Sequence, residues 1–244
     1  AGGAGGGIEI VDWDGTVLWS YRYNDERHRS HHDFEVLPNG NILLISWVVH
    51  SRDEVLAAGK TPATLSETGE IWSDEIIELR PVGRDSAEIV WRWRAWDHLV
   101  QSHDPNLANF GAPSAFPHRI DINTSGDRPD WLHTNSVTYN PELDLVMLSI
   151  HNLSEIWIID HGTTTEEAAS SMGGRYGRGG DLLYRWGNPA VYGVDAPRQL
   201  YAQHDAHWIK EGLPGAGQVL LFNNGIQANE RRFSTVDELI LPMV

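Results

Sequence analysis

Three histidines recur at matching places in this 244-residue chain: His32 in HHDFEVLPNGNILLISW, His133 in HTNSVTYNPELDLVMLSIHN and His204 in QHDAHWIKEGLPGAGQVLLFNNG. Each heads a segment that passes through a turn into an apolar strand. Neutral imidazoles that converge suit three kinds of chemistry: metal ligation, acid–base catalysis near neutral pH, and nucleophilic attack through a ring nitrogen. Repetition favours function over packing, because three core histidines would each need their polar atoms satisfied. Asn135 follows His133 by two residues. On a strand that spacing sets an imidazole and an amide side by side, a cradle for oxyanion oxygens.

Other residues extend the set. His204, Asp205 and His207, with His32 and Asp33, offer nitrogen and oxygen ligands for a metal. Strand alternation, however, turns His204 and Asp205 to opposite sides, so the aspartates fit better as groups that orient an imidazole or satisfy backbone amides. His151 and Asn152 end the strand that follows His133. Arg178, Arg185 and Arg198 are available from loops, and each reads more simply as a solvated surface group.

The elements that must position these residues are strands. Apolar pieces are short, β-branched and aromatic, with turn residues between them, and helical periodicity is nearly absent. A helical turn or two is expected only over 97–109 and 164–171. Aligning the histidine segments gives a common unit: an inner strand opening with His, a second strand (NILLISW, LVMLSIH, QVLLFNN), a third (DEIIELRP, SEIWIIDH, VDELILP) and an aromatic-marked fourth (AEIVWRWRAW, GDLLYRWGNP). Four strands per repeat is the pattern of a β-propeller blade. The expected organisation is a single all-β propeller domain over 1–244. It comprises a blade end at 8–24, a blade at 31–97, an insertion at 97–130, a blade at 131–190 and a partial blade at 200–244, or roughly three to four blades. The insertion and the Gly-rich 172–180 are expected to rim one mouth of the channel. A closed ring needs more strands, so further sequence or another chain, as in a homo-oligomer, would supply them; the low-complexity start AGGAGGG and the strand-like end read as cuts.

Composition narrows the partners. A formal charge of −16 disfavours nucleic acid. The absence of cysteine removes disulfides and thiolate chemistry. No apolar run approaches the roughly 20 residues that cross a bilayer, and no signal peptide is visible.

Four motifs, HHDFEVLPNGNIL, DWLHTNSVTYNPELDLVMLSIHN, GDLLYRWGNP and QHDAHWI, occur in an order that resembles the bacterial arylsulfotransferase family, from about His31 to Gly225. The resemblance implies a six-bladed propeller, periplasmic or secreted, with no cofactor or metal. It implies transfer of a sulfuryl group from a phenolic sulfate ester to a phenol through a sulfohistidine. By the matching motifs, His204 would be the nucleophile, His32 a sulfate contact, and His133 a contact or proton donor beside Asn135. Where the family's prototypes carry an arginine, spacing from His133 puts His151, which is charged only below about pH 6.5 unless its surroundings shift it. Asn135, His151, Asp205 and His207 complete the expected substrate contacts. Two other readings stay open on the residues alone: a metal-dependent hydrolase or lyase using the same histidines, and a non-catalytic binding or assembly module.

Overall fold

A computed structural model describes residues 2–124, 126–225 and 233–242. The protein is all-β. A hairpin of β1 (Gly7–Val11) and β2 (Val17–Arg22) stands beside an antiparallel meander of β3 (His28–Val36), β4 (Ile42–His50), β5 (Ile71–Val82) and β6 (Ser86–Arg94). Two short parallel strands, β7 (Leu99–Val100) and β8 (Ile120–Asp121), follow within the insertion. A second four-stranded meander contains β9 (Thr134–Asn140), β10 (Leu145–Ile150), β11 (Glu155–Asp160) and β12 (Tyr184–Trp186). The last sheet is β13 (His204–Trp208), β14 (Val219–Asn223) and β15 (Thr235–Leu239). Among the described residues none of the sheets closes on itself.

The sheets stack face to face, which explains why β10 and β11 are buried along their whole length. Alternate side chains serve different cores. Val146, Leu148, Ile150, Trp157 and Ile159 pack against Leu43, Ile45, Ile76, Trp91 and Trp93 of the first meander. Leu145, Met147, Ile156 and Ile158 face Trp208, Val219 and Leu221 of the last sheet. Strands buried on both faces read as continuous apolar runs, the pattern seen in LVMLSI and EIWIID. The stacking also brings first strands together, with β9 packed between β3 and β13.

One helical expectation holds, and two others about local structure are corrected. The helical turn expected over 97–109 is a single 3-10 turn at Ala95–His98, while that over 164–171 is α2 (Thr165–Ala168), capped by Thr164 and Glu167. A helix absent from the sequence reading, α1 (Arg52–Ala57), follows β4. Its capping box pairs Ser51 with Glu54, but only Val55 is buried, so a six-residue helix carries almost no apolar periodicity. Second, β3 does not open at the repeated histidine. It begins at His28, and His32 lies inside the strand at a bulge.

Candidate functional site

A backbone irregularity recurs in all three first strands. Pairing breaks between Ser30 and Phe34 in β3, opposite Ser149 and Ile150 in β9, and between His204 and His207 in β13. Each bulge contains or adjoins one repeated histidine. His32 and His133 adopt φ of 53° and 54°, and Asp205, next to His204, has φ of 54°. Non-glycine residues hold this left-handed conformation at a cost of about 1–2 kcal/mol each. The twist re-aims the side chains toward a shared centre, and the repeated HHDF, HTNS and HDAH segments encode it.

The bulges place four imidazoles in succession. Ring centroids are 4.5 Å apart for His32 and His133, 5.2 Å for His133 and His151, and 5.3 Å for His151 and His204, all edge to face. Residues distant in sequence and drawn from three strands thus meet at one end of the stacked sheets. His151 reaches the row from the turn after β10, where its N–H and that of Asn152 bond to the carbonyls of His133 and Leu132.

The partners of the rings set their states. His133 Nδ1 lies 2.5 Å from Asp130 Oδ2. A carboxylate can only accept, so Nδ1 donates and Nε2 faces the row. That bond, with the Asp130 charge, raises the His133 pKa against the opposing effect of burial. His151 Nδ1 donates to Asn152 Oδ1 at 2.9 Å, because the Asn152 amide nitrogen is committed to the carbonyls of Asp130 and Trp131. Burial lowers the His151 pKa, so this ring is neutral and offers a bare Nε2. His32 is pushed down to about 4, by burial first and then by the neighbouring imidazoles His31 and His133. Among the described residues His204 makes no hydrogen bond through either ring nitrogen; its ring contact is with His151.

Asparagine at 130 removes the charge but keeps an acceptor. The His133 pKa is raised in the wild type, so its proton is lost at higher pH than from a free imidazole. In Asp130→Asn this loss moves to lower pH. Nitrogen NMR titration of the His133 ring in the wild type and in Asp130→Asn checks this shift, which should be downward in the variant.

The remaining expected residues divide. Asn135 is buried, and its Nδ2 donates to Gln203 O at 2.7 Å. That bond ties the second histidine motif to the third and commits one of the two amide hydrogens. Gln203 in turn donates to Ser149 Oγ and to the carbonyls of Ile150 and Glu155, fixing the backbone before His204. Asp33 accepts the Val137 N–H at 3.0 Å, a backbone-satisfying role. The structure does not bring Asp205 and His207 into the row. Asp205 is exposed, and His207 Nδ1 donates back to the Asp205 carbonyl. Arg185 is not a solvated group: its side chain is 6% exposed and pairs with fully buried Glu155. Arg198 is half-buried and donates to Leu200 O and Ser154 Oγ. Among the described residues no His, Asp or Glu side chains group in threes to hold a metal ion.

Several site residues escape sequence reasoning. His31 stacks on Trp47 at 3.9 Å and touches His32 through facing Nδ1 atoms at 2.8 Å. Asp130 is delivered by the insertion, whose end docks on the start of β5 through the Trp72 N–H to the Pro129 carbonyl. Lys60, 2% exposed, ties that insertion to the loop after β4 by donating to the carbonyls of Ile122 and Gly126. The glycine-rich start lies along β3, with Gly3 O accepting from His32 N at 2.8 Å. A Cβ on Gly3 would sit 2.3 to 2.5 Å from His32 Nε2, Cε1 and Cδ2, so the glycine covers the face of that ring and leaves its edge free. With φ of +72° as well, Gly3→Ala should displace the imidazole. We expect a loss on the order of 10²-fold in kcat/KM, the scale of a 1 Å misplacement, with thermal stability nearly unchanged because the segment is exposed. Beyond His32 opens a cavity of about 700 Å³ bordered by Tyr21, Arg22 and Phe34.

Comparison with known proteins adds a family. The sequence profile described as Arylsulfotransferase (ASST) matches residues 3–238. No curated protein sequence matches the chain significantly. Among solved structures, hydrazine synthase of Kuenenia stuttgartiensis is similar at 11% identity and a TM-score of 0.40, over 97% of this chain and 66% of that one. The chain therefore spans just under two thirds of the length of that protein.

Proposed function

The chain belongs to the arylsulfotransferase family, and from that premise we propose that it transfers a sulfuryl group from a phenolic sulfate ester to a phenolic acceptor, with His204 as the covalent carrier. The observation that supports this reading is the contrast among the four rings. His32, His133 and His151 each have one nitrogen held by a neighbour, while both nitrogens of His204 are uncommitted among the described residues. A nucleophile needs a free lone pair, and its neighbours need fixed proton positions.

Sulfate monoesters react through a loose transition state, by analogy with phosphoryl transfer, so positioning and charge stabilisation supply most of the catalysis. In the first half-reaction a His204 ring nitrogen attacks sulfur. The ester S–O bond breaks, and its electron pair leaves on the phenolate oxygen, which takes the Nε2 proton of His133. In the second half the acceptor oxygen attacks sulfur, the S–N bond breaks, and its electron pair returns to His204. The cavity beside His32 has the size of a small-molecule site and aromatic borders suited to an aryl ring.

We read the three stacked sheets as consecutive blades of one propeller domain over 1–244, with its channel mouth at the imidazole row, and the protein as an exported, periplasmic enzyme. Among the described residues no helix is long and apolar enough to cross a membrane. The test is intact mass after incubation with a nitrophenyl sulfate, followed by peptide mapping. A sulfuryl adduct on His204 supports the route; phenol release without any adduct overturns it.

A further inference from the structure

Two buried ionisable residues have no part in the chemistry described so far. Asp74, in β5, and His31 have side chains 1% and 0% exposed, and His31 Nε2 lies 3.4 Å from Asp74 Oδ1. Neither of these two atoms has a hydrogen-bond partner among the described residues. Asp74 Oδ2 accepts the Thr134 backbone N–H at 2.8 Å, which fixes the carboxylate one residue beyond His133. His31 is clamped flat against Trp47, with an interplanar angle of 12°. It touches no open space, so it acts only through His32.

The Nδ1 to Nδ1 contact of 2.8 Å constrains the protons. One ring must donate and the other accept. An acceptor-only carboxylate oxygen 3.4 Å from Nε2 disfavours a lone pair there, so a neutral His31 carries its proton on Nε2 and accepts at Nδ1. His32 Nδ1–H is then the donor, and His32 Nε2 is a bare lone pair on the open edge of the ring. Adding one proton at that Nε2 lets the Nδ1 proton cross to His31. The proton then lies on His31, whose Nε2 is 3.4 Å from the buried Asp74 carboxylate. His151, the other ring with a bare Nε2, is backed only by the neutral Asn152 amide.

We propose that Asp74, His31 and His32 form a proton relay that serves as the general base for the acceptor, with Asp74 and His31 as positioning residues. This rests on the sulfotransferase reading. As the acceptor oxygen attacks the sulfuryl group on His204, its O–H proton passes to His32 Nε2 and the His32 Nδ1 proton passes to His31 Nδ1. The proton then leaves to solvent or to His133, whose ring is adjacent and has given its own proton to the departing phenol. The relay takes up one proton as a unit, because two adjacent buried imidazolium ions repel. Facing groups that bear on its titration are Asp74 on His31, and His133, His204 and Asp130 on His32.

The test uses Asp74→Asn and His31→Phe, the second of which preserves stacking on Trp47. Both are expected to form the sulfuryl adduct from a nitrophenyl sulfate at close to the wild-type rate. Transfer to an un-ionised phenol should fall about 10²-fold, while transfer to an electron-poor phenol already ionised at the assay pH should be preserved. Equal losses on both acceptors, or a slowed first half-reaction, would overturn the relay. Imidazole nitrogen NMR of the intact protein decides the point without turnover. The expected result is a resting His32 protonated on Nδ1, one proton shared by the pair on acidification, and uptake at lower pH in Asp74→Asn. A resting His32 protonated on Nε2, or two independent titrations, overturns it. A wild type that forms no adduct counts against the transferase reading, and the NMR result still stands for or against the relay.

Discussion

Alanine at position 204 is expected to abolish the sulfuryl adduct and to cut transfer from any aryl sulfate on the order of 10⁴-fold or more, the scale on which loss of a nucleophile is felt. Phenolate stabilisation by His133 survives in His204→Ala, so a slow direct reaction with an ionised acceptor is the expected residue of activity. The ring's aromatic contact is with His151 and it makes no hydrogen bond among the described residues, so folding should be intact and the melting temperature close to the parent's. Added imidazole has room to reach the same place and should restore part of donor cleavage without attaching the sulfuryl group to protein. Burst kinetics, intact mass and thermal melting together check the prediction. An adduct that persists in His204→Ala, mapped to His32 or His151, would reassign the carrier.

The three repeated histidines were legible because repetition in a stacked-sheet fold puts equivalent positions at one end of the stack. His151 was legible by its spacing from His133. The residues that set their proton states were not. Asp130 lies three residues before His133, yet its approach depends on an insertion folding back onto β5. Asp74 sits in a strand read simply as apolar, and its neighbour His31 was not singled out beside His32. Strand alternation also leaves partners unnamed at the bulges. It assigned Asn135 to the face of His133 without showing that its amide bonds to Gln203. Asp205 and His207 were grouped with His204 on sequence proximity, and a left-handed turn at Asp205 separates them. The glycine-rich start looked like low complexity, although the contact between Gly3 and His32 requires a residue without Cβ.

The all-β class was readable from β-branched runs, and the burial of β10 and β11 on both faces explains why those runs do not alternate. The aromatic ends of the fourth strands signalled packing for a related reason. Trp91 and Trp93 enter the core between the first two meanders and bond to Thr163 Oγ1 and Gly180 O of the next unit. What periodicity cannot show is the polar linkage across those interfaces, since each member looks like an ordinary surface residue within its own strand.

Arg185 is the clearest such case, and its replacement by methionine should be among the most destabilising single changes in the chain. Glu155 is fully buried, accepts from Trp157 Nε1 at 2.8 Å and from Arg185 Nε at 3.1 Å, and makes a second contact with Arg185 Nη2. The guanidinium also donates to Arg119 O at 2.9 Å and lies over Tyr192 at 4.4 Å, joining the insertion to the second meander. Burial raises the Glu155 pKa, and Arg185 acts against that rise. Removing the cation leaves an uncompensated buried carboxylate, at a cost of about 3–5 kcal/mol. The sign of the pH dependence follows. A carboxyl whose folded pKa lies above its unfolded value favours folding in its protonated form, and that contribution is lost as pH rises through the folded pKa. The deficit of Arg185→Met should therefore be largest at alkaline pH and shrink as the pH falls through the raised Glu155 value. Urea denaturation at alkaline and mildly acidic pH measures it. Glu155→Gln in the same chain should recover much of the loss, because it removes the charge that Arg185 compensates; a double variant no more stable than Arg185→Met would show that the bonds to Arg119 and Tyr192, and not the ion pair, carry the stability.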